Sequence, residues 1–302
     1  MIIVKILGGL GNQMFQYAFF LLLSKKHHSV KLDNYDFENY DLHQGFELSR
    51  VFHISMDDHI APRSEIKQLK DTTSGFRYRK MIGSIFFNNP NQFIKQTHYI
   101  QPNYSGFYPK IYKHSDIYLD GYWQNPEYLE EIKVEISEIF KWKNISERNQ
   151  LLSSRMSSEN SVAIHIRRLD KPDNFKQLLY RIRLQLFWRV CNKKYYQKAI
   201  SLLKNSIENP RFYVFTDNLE WSKRIFSTTK EYTIIDWNRG KESHWDMYLM
   251  TQCKHNIISM SSFSWWGAWQ NSNPEKIVVA PKKWAVRFQK DKGIIPNDWI
   301  RI

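Results

Sequence analysis

The second half of the chain alternates short apolar runs with stretches whose apolar residues recur at helical spacing, and few architectures accept that alternation. Residues 162–166, 212–216, 232–235, 256–260 and 277–280 read as strands. Between them Tyr195, Ala199, Leu202, Leu203 and Ser206 fall at i, i+4, i+7, i+8 and i+11, one face of a helix. Such βαβ units demand a parallel sheet with right-handed crossovers. The carboxyl ends of its strands then border any ligand crevice.

The N-terminus opens in the same way. Residues 2–7 are an apolar run that stops at Gly8-Gly9-Leu10-Gly11 and passes into residues suited to a helix. Gly9-Leu10-Gly11-Asn12-Gln13-Met14 approaches the dinucleotide fingerprint, with Asp33 at the distance of a ribose-binding acid, but Met14 replaces the third glycine and weakens an NAD or flavin reading. The alternatives are a tight turn with no ligand, or a turn whose amides, with Asn12 and Gln13, face an anionic or sugar ligand at a helix N-terminus. At 302 residues the chain suits two lobes. The Ser-, Asn- and Glu-rich stretch at 150–160 places their boundary, giving lobes 1–155 and 156–302, with the last residues packing back on the first lobe. Residues 64–112 have weak periodicity and support no firm assignment.

The formal charge of +14 is concentrated. Nine Lys/Arg face two acids between residues 63 and 113, and ten face two between 165 and 198. Phosphate-bearing ligands, an anionic membrane surface and nucleic acid are the candidate partners. The basic residues form no recognised nucleic-acid module, so a nucleic-acid or anionic-surface binding protein is the rival reading, and no nucleic-acid partner is expected. Two cysteines without C-x-x-C spacing argue against a disulfide framework and fit a reducing, cytoplasmic home. Glycines and amides interrupt the apolar N-terminus, which reads neither as signal peptide nor as membrane span. Peripheral contact with the inner membrane face is the remaining membrane expectation.

Two constellations carry chemistry. His165-Ile166-Arg167-Arg168-Leu169-Asp170 ends the strand that begins at Val162, so His165 and Arg167 point to one side and Arg168 to the other. A guanidinium there can fork onto a diphosphate, although one arginine could simply pair with Asp170. Ser259-Met260-Ser261-Ser262-Phe263-Ser264-Trp265-Trp266-Gly267 runs from a strand end through a hydroxyl-rich turn into a helix. Capping accounts for one serine, and the others suit phosphate; the tryptophans read as core. No D-x-D pair and no His pair with zinc-ligand spacing occurs, so no metal is expected and positive side chains must do its work.

With Gly9 to Ala18, Phe215-Thr216-Asp217, Trp123-Gln124, Cys253-Lys254 and Pro281-Lys282-Lys283-Trp284, these motifs follow the order found in glycosyltransferase family 11. The chain therefore resembles the bacterial α-1,2-fucosyltransferases from Gly9 to Trp284. The resemblance implies an α/β GT-B fold: two Rossmann-like lobes with a cleft between them, GDP-fucose on the second lobe and a galactose-terminated glycan acceptor on the first. It implies metal-independent, inverting transfer of L-fucose, most often to the 2-hydroxyl of galactose, with no cofactor. By similarity Arg167 holds the β-phosphate, His165 sits against the donor, Ser262, Phe263 and Ser264 close over the diphosphate, and Ser261 is a further donor-binding residue. Gly9, Gly11, Asn12, Gln13 and Asp217 join the donor side, and Asp246 recognises guanine. Asp170, then Asp173, is the candidate base for the acceptor hydroxyl. Leu169, Lys171 and Met260 depart from the usual pattern. The start His-Ile-Arg-Arg-Leu-Asp-Lys is similar to the α-1,6-fucosyltransferases, which leaves linkage and acceptor open.

Overall fold

The computed structural model describes residues 1–40, 43–70, 97–103, 105–168, 190–226, 231–284 and 293–302, and the backbone of 93–95. Asp170, Asp173, Leu169 and Lys171 lie outside the described residues. The chain divides into two compact units, Met1–Lys141 with Lys292–Ile294, and Trp142–Asp291 with Ile295–Ile302.

The first unit is built on a five-stranded sheet. Strands β1 (Ile2–Lys5), β2 (Val30–Asp33), β4 (His98–Ile100) and β5 (Ile117–Asp120) are parallel, and β3 (Phe93–Lys95) is antiparallel at the edge, in the order β2-β1-β5-β4-β3. Helix α1 (Leu10–Lys26) is apolar on most of its circumference and is correspondingly buried. It ends at His27, which turns extended, after Lys25 and Lys26 place positive charge at the negative end of the helix dipole. Phe19 of α1 stacks on Trp123 with ring centroids 4.2 Å apart. Helices α2 (Leu48–Val51) and α3 (Arg63–Leu69) follow β2, and α4 (Lys133–Ile139) ends the unit. On the α3 side, Ile3 and Tyr118 pack with Ala61, Ile66 and Leu69. The weak periodicity of residues 64–112 hid α3 and β4, which are too short to repeat a pattern.

The second unit is a wholly parallel six-stranded sheet, β6 (Ser161–Ile166), β7 (Arg211–Thr216), β8 (Tyr232–Ile235), β9 (His255–Ile257), β10 (Val278–Ala280) and β11 (Ile300–Arg301), in the order β11-β10-β9-β6-β7-β8. Its inner strands are apolar on both faces because helices cover both. Val162, Ile164 and Ile166 face α6 (Lys193–Ser206) through Tyr196, Ala199 and Leu203. Ala163, Tyr213 and Phe215 face α8 (His244–Gln252) and Met156 of α5 (Glu147–Ser158). Helix α7 (Leu219–Ile225) follows β7, and α9 (Ser262–Trp269) follows β9. Trp265 and Trp266 are fully buried, as core residues should be.

The unit boundary corrects the expected 155/156 division. Met156 and Leu152 of α5 bury themselves against the second sheet, so α5 belongs wholly to the second unit and the break falls after Lys141. Two α/β units, each on a mostly or wholly parallel sheet, agree with the GT-B class. Among the described residues no helix is long and apolar enough to cross a membrane.

One polar side chain ties together the strand exits of the first unit. Gln16 accepts the Leu7 N–H at 3.0 Å and donates to the Gly121 carbonyl at 2.9 Å, and it is 2% exposed. Gln16→Leu keeps the volume but leaves both backbone groups unpaired, so urea unfolding should reveal a loss of about 3 kcal/mol. A change below about 0.5 kcal/mol would mean that water or rearrangement serves them equally well.

Candidate active site

Read from β8, the second sheet runs β8-β7-β6-β9-β10-β11, so the strand order reverses between β6 and β9. At such a switch point the connections leave in opposite directions and the carboxyl ends of the strands open a crevice. The two sequence constellations meet there. His165, on β6, makes a 2.7 Å hydrogen bond through Nδ1 with Oγ of Ser259, just beyond β9. Phe263 of α9 lies against the imidazole, with centroids 5.7 Å apart. Burial, helped by the Arg167 charge, pushes the His165 pKa down to about 3, so the ring is neutral at physiological pH.

Beyond Ile166, Arg167 and Arg168 diverge as the extended chain requires. The Arg167 guanidinium pairs with Asp217, at 3.0 Å, beyond the end of β7. The same carboxylate accepts the Arg168 N–H at 2.7 Å, while the Arg168 guanidinium lies 4.4 Å above the centre of the Trp221 ring. Asp217 therefore fixes the chain just past β6, holding both the Arg167 guanidinium and the Arg168 backbone. Arg239 closes the same edge by donating to the Thr216 carbonyl at 2.7 Å.

Beyond β9, Ser261 caps α9 by accepting the Phe263 N–H at 3.3 Å. Ser264 is fully buried, its hydroxyl near the carbonyls of Ser259 and Ser261 at 3.4 and 3.3 Å. The two serines shape the turn, and Ser262 is partly exposed at the first position of α9. Asp246 sits in the first turn of α8, 9% exposed, with Oδ1 accepting from Asn238 at 2.9 Å. Burial pushes its carboxyl up to about 7, against the opposing pull of Asn238 and Arg239.

The glycine turn of the first unit is organised differently from the expectation. Gly8, at φ +103°, is the residue that needs to be glycine. Gly9 caps α1 with the His43 ring packed on it, so that a Cβ would meet the ring at 3.2 Å, and Gly11 is buried in the first turn of α1. Gln13 does not face outward: it is fully buried, donates to the carbonyls of Gly8 and Gly45 at 2.8 Å each, and accepts the Glu47 N–H at 2.8 Å. Glu47 in turn accepts the Leu10 N–H at 3.1 Å, so the protein's own carboxylate occupies the start of α1. Asn12, half-buried, accepts from Gln124 at 2.8 Å. Asp33, buried, is held by Tyr118, Lys70 and the Tyr35 N–H, which removes the ribose-binding alternative.

The model of the family described as Glycosyl transferase family 11 matches residues 1–302. The chain belongs to that family. An alpha-1,2-colitosyltransferase from Escherichia coli is 32% identical to this family 11 chain over 100% of it and 98% of the relative. The O-antigen biosynthesis glycosyltransferase WbnK from Escherichia coli is 30% identical, covering 98% of each. A galactoside alpha-(1,2)-fucosyltransferase 1 from Lagothrix lagotricha matches at 28% over 36% of this chain and 28% of its own. A solved structure, fucosyltransferase NodZ from Bradyrhizobium, aligns at 13% identity over 88% of this chain and 91% of its own, with a TM-score of 0.49.

Ser259, Arg239 and Asn238 join the site of this family 11 chain without having been singled out as site residues. Ser259 was signalled by its place at the strand end. Arg239 and Asn238 lie in a loop after β8 that has no motif of its own.

Asp246 gives the ligand-free protein a pH signature. Its folded pKa is raised from 3.8 to about 7, so the folded chain keeps a proton that the unfolded chain has released. Its stabilising contribution is fully present below the unfolded value and is lost as pH rises through about 7. The stability advantage of the wild type over Asp246→Asn should therefore shrink steadily between about pH 4 and about pH 8 in denaturant titrations. An advantage that grew over that range would contradict the assignment.

Proposed function

We propose that this family 11 glycosyltransferase moves L-fucose from GDP-fucose to the 2-hydroxyl of a terminal galactose, with inversion and without a metal. The observation that carries the reading is the junction of His165, Arg167 and the start of α9 at the strand-order reversal of the second sheet. Arg167 and the opening of α9 at Ser262 offer a guanidinium, backbone amides and a hydroxyl to a diphosphate. As GDP departs from the oxocarbenium-like sugar, negative charge grows on its β-phosphate, and groups already in position oppose it without reorganising. Asp246 supplies two carboxylate oxygens to the N1–H and N2–H of guanine. Neutral His165 contacts the donor as a hydrogen-bonding group, since a ring with its pKa near 3 is neither an imidazolium acid nor an effective base at pH 7. Asp170, and after it Asp173, takes the proton of the acceptor hydroxyl. The enzyme works on glycan precursors at the cytoplasmic face of the membrane.

The colitosyltransferase relative favours a second reading of the donor. Colitose is fucose without its 3-hydroxyl, so the same diphosphate and guanine contacts serve both sugars. Offering GDP-fucose and GDP-colitose with a β-galactoside acceptor, and assigning the product linkage by NMR, separates the readings. An α-1,2 product from GDP-fucose, unaffected by EDTA, is expected. Dependence on Mn²⁺ or a linkage elsewhere on galactose contradicts the proposal, and turnover of GDP-colitose alone transfers it to the second donor.

Arg167→Lys keeps the charge but replaces a planar fork with a point donor. Its effect should fall on kcat, by at least about a hundredfold, because the charge it opposes is largest in the transition state. Near-normal kcat in a folded Arg167→Lys protein would place the diphosphate elsewhere.

A further inference from the structure

Asp246 is not buried alone. Asn238 and Asn149 lie beside it, 5% and 1% exposed, and Trp237, which packs on the apolar cluster of the second unit, reaches Asn149. Two buried amides in such apolar surroundings cost free energy unless every donor and acceptor is engaged, and here they are. Asn149 Nδ2 donates to Asn238 Oδ1 at 3.1 Å and to Ser146 Oγ at 2.9 Å. Asn238 Nδ2 has two hydrogens, one directed to Asn149 Oδ1 at 3.2 Å and one to Asp246 Oδ1 at 2.9 Å.

A reciprocal pair of amides can turn over as a unit and keep its mutual bonds, so something else must decide its polarity. Trp237 decides it. The indole Nε1–H donates to Asn149 Oδ1 at 3.2 Å, and an indole can only donate. Turning the pair over would set the Asn149 NH₂ against that N–H and the Asn238 carbonyl against Asp246. The Trp237 ring is itself pinned by the Arg148 guanidinium, 3.7 Å from its centre.

We propose that Trp237, Asn149 and Asn238 form a polarity lock, a set of positioning residues that keeps Asp246 a hydrogen-bond acceptor for a nucleobase edge with adjacent N–H donors. The lock rests on the reading of Asp246 as the guanine-binding acid. It acts by favouring the ionised carboxylate: Asn238 can only donate to it, whereas a protonated acid has a hydrogen to give away. Guanine offers two adjacent donors to such a carboxylate. Adenine, with one donor beside an acceptor, matches the protonated acid instead. Of the other charged and titratable groups nearby, Arg239, in the same loop as Asn238, acts on the Asp246 charge, Arg148 of α5 lies over Trp237, Glu242 in the turn before α8 accepts from Trp245, and His244, the first residue of α8, is bonded to the Lys241 carbonyl. None of them touches the carboxylate through a hydrogen bond among the described residues.

The test is calorimetric binding of GDP and ADP to the full chain between about pH 5.5 and 8.5, in wild type, Asn238→Ala, Trp237→Phe and Asp246→Asn. Wild-type affinity for GDP should rise with pH and level off above about 7, where Asp246 has ionised. Asn238→Ala should weaken GDP binding at neutral pH by about tenfold or more, the size of one hydrogen bond to a charged group. It should also move the levelling point upward by about one pH unit and narrow the preference for GDP over ADP. Trp237→Phe, which keeps an aromatic ring, should shift the profile in the same direction by less, and it carries the test if Asn238→Ala does not fold. Weaker binding with an unmoved pH profile in both variants would make the network merely structural and overturn the proposal, as would unchanged affinity. Asp246→Asn that binds GDP as tightly as wild type would instead sink the reading of Asp246 on which the lock rests.

Discussion

The architecture of the candidate site depends on one discontinuity, the reversal of strand order between β6 and β9. On one side of it the chain leaves β6 to return through α6 on one face of the sheet; on the other it leaves β9 directly into α9. The backbones part at their carboxyl ends, and the gap is spanned by the His165 to Ser259 hydrogen bond at 2.7 Å. Much of the site follows from which strand end carries it: Arg167 and Arg168 from β6, Asp217 from β7, and the serine turn from β9, with Asn238 and Arg239 in the loop after β8 and Asp246 on α8. A parallel sheet covered on both faces by helices holds these ends rigidly, because its inner strands have no freedom to slip without exposing a fully apolar run.

The electrostatics of the site are those of preorganisation. Burial holds His165 neutral and Asp246 near the midpoint of its titration at pH 7. The Arg167 charge is kept in place by Asp217, which also grips the backbone at Arg168. The proposed transfer from a diphosphate donor asks for fixed positive charge more than for a proton shuttle, and a held Arg167 beside a neutral His165 supports that proposal. In the first unit the corresponding helix start is closed by Glu47, a side chain of the protein itself. Two similar strand-turn-helix openings are thus built differently: Glu47 closes the start of α1, whereas the start of α9 is capped by Ser261 and has Ser262 partly exposed at its first position.

Much of this was legible in the sequence, for reasons that also explain what was not. The inner strands of the second sheet are buried on both faces, so they read as uninterrupted apolar runs: β6, β7, β8 and β10 were placed within a residue of their ends, the reading of β9 ran three residues past Ile257, and the two-residue, exposed β11 gave no signal. His165, Arg167 and the serine turn were recognisable as strand-end residues of a parallel sheet, and the structure brings His165 and the serine turn together. The first unit was harder, since α3 and β4 are shorter than the period that would reveal them. Gln13 misled because an amide that staples a loop and an amide that faces a ligand look identical in sequence; only its three hydrogen bonds tell them apart. The boundary was misplaced because α5 carries few apolar residues, and its allegiance rests on Leu152 and Met156. The Asn149 and Asn238 pair could not be read at all, because its members are 89 positions apart and each alone is an ordinary polar residue.

The most direct test of the account is a crystal structure of the full chain with GDP bound. The β-phosphate is predicted to lie between the Arg167 guanidinium and the first turn of α9, with the guanine edge on Asp246 and Gln13 still bonded to Gly8, Gly45 and Glu47. A diphosphate found instead on the Gly8 to Gly11 turn of the first unit, with Arg167 remote from it, would contradict the central claim that the strand-order reversal of the second sheet is the donor site.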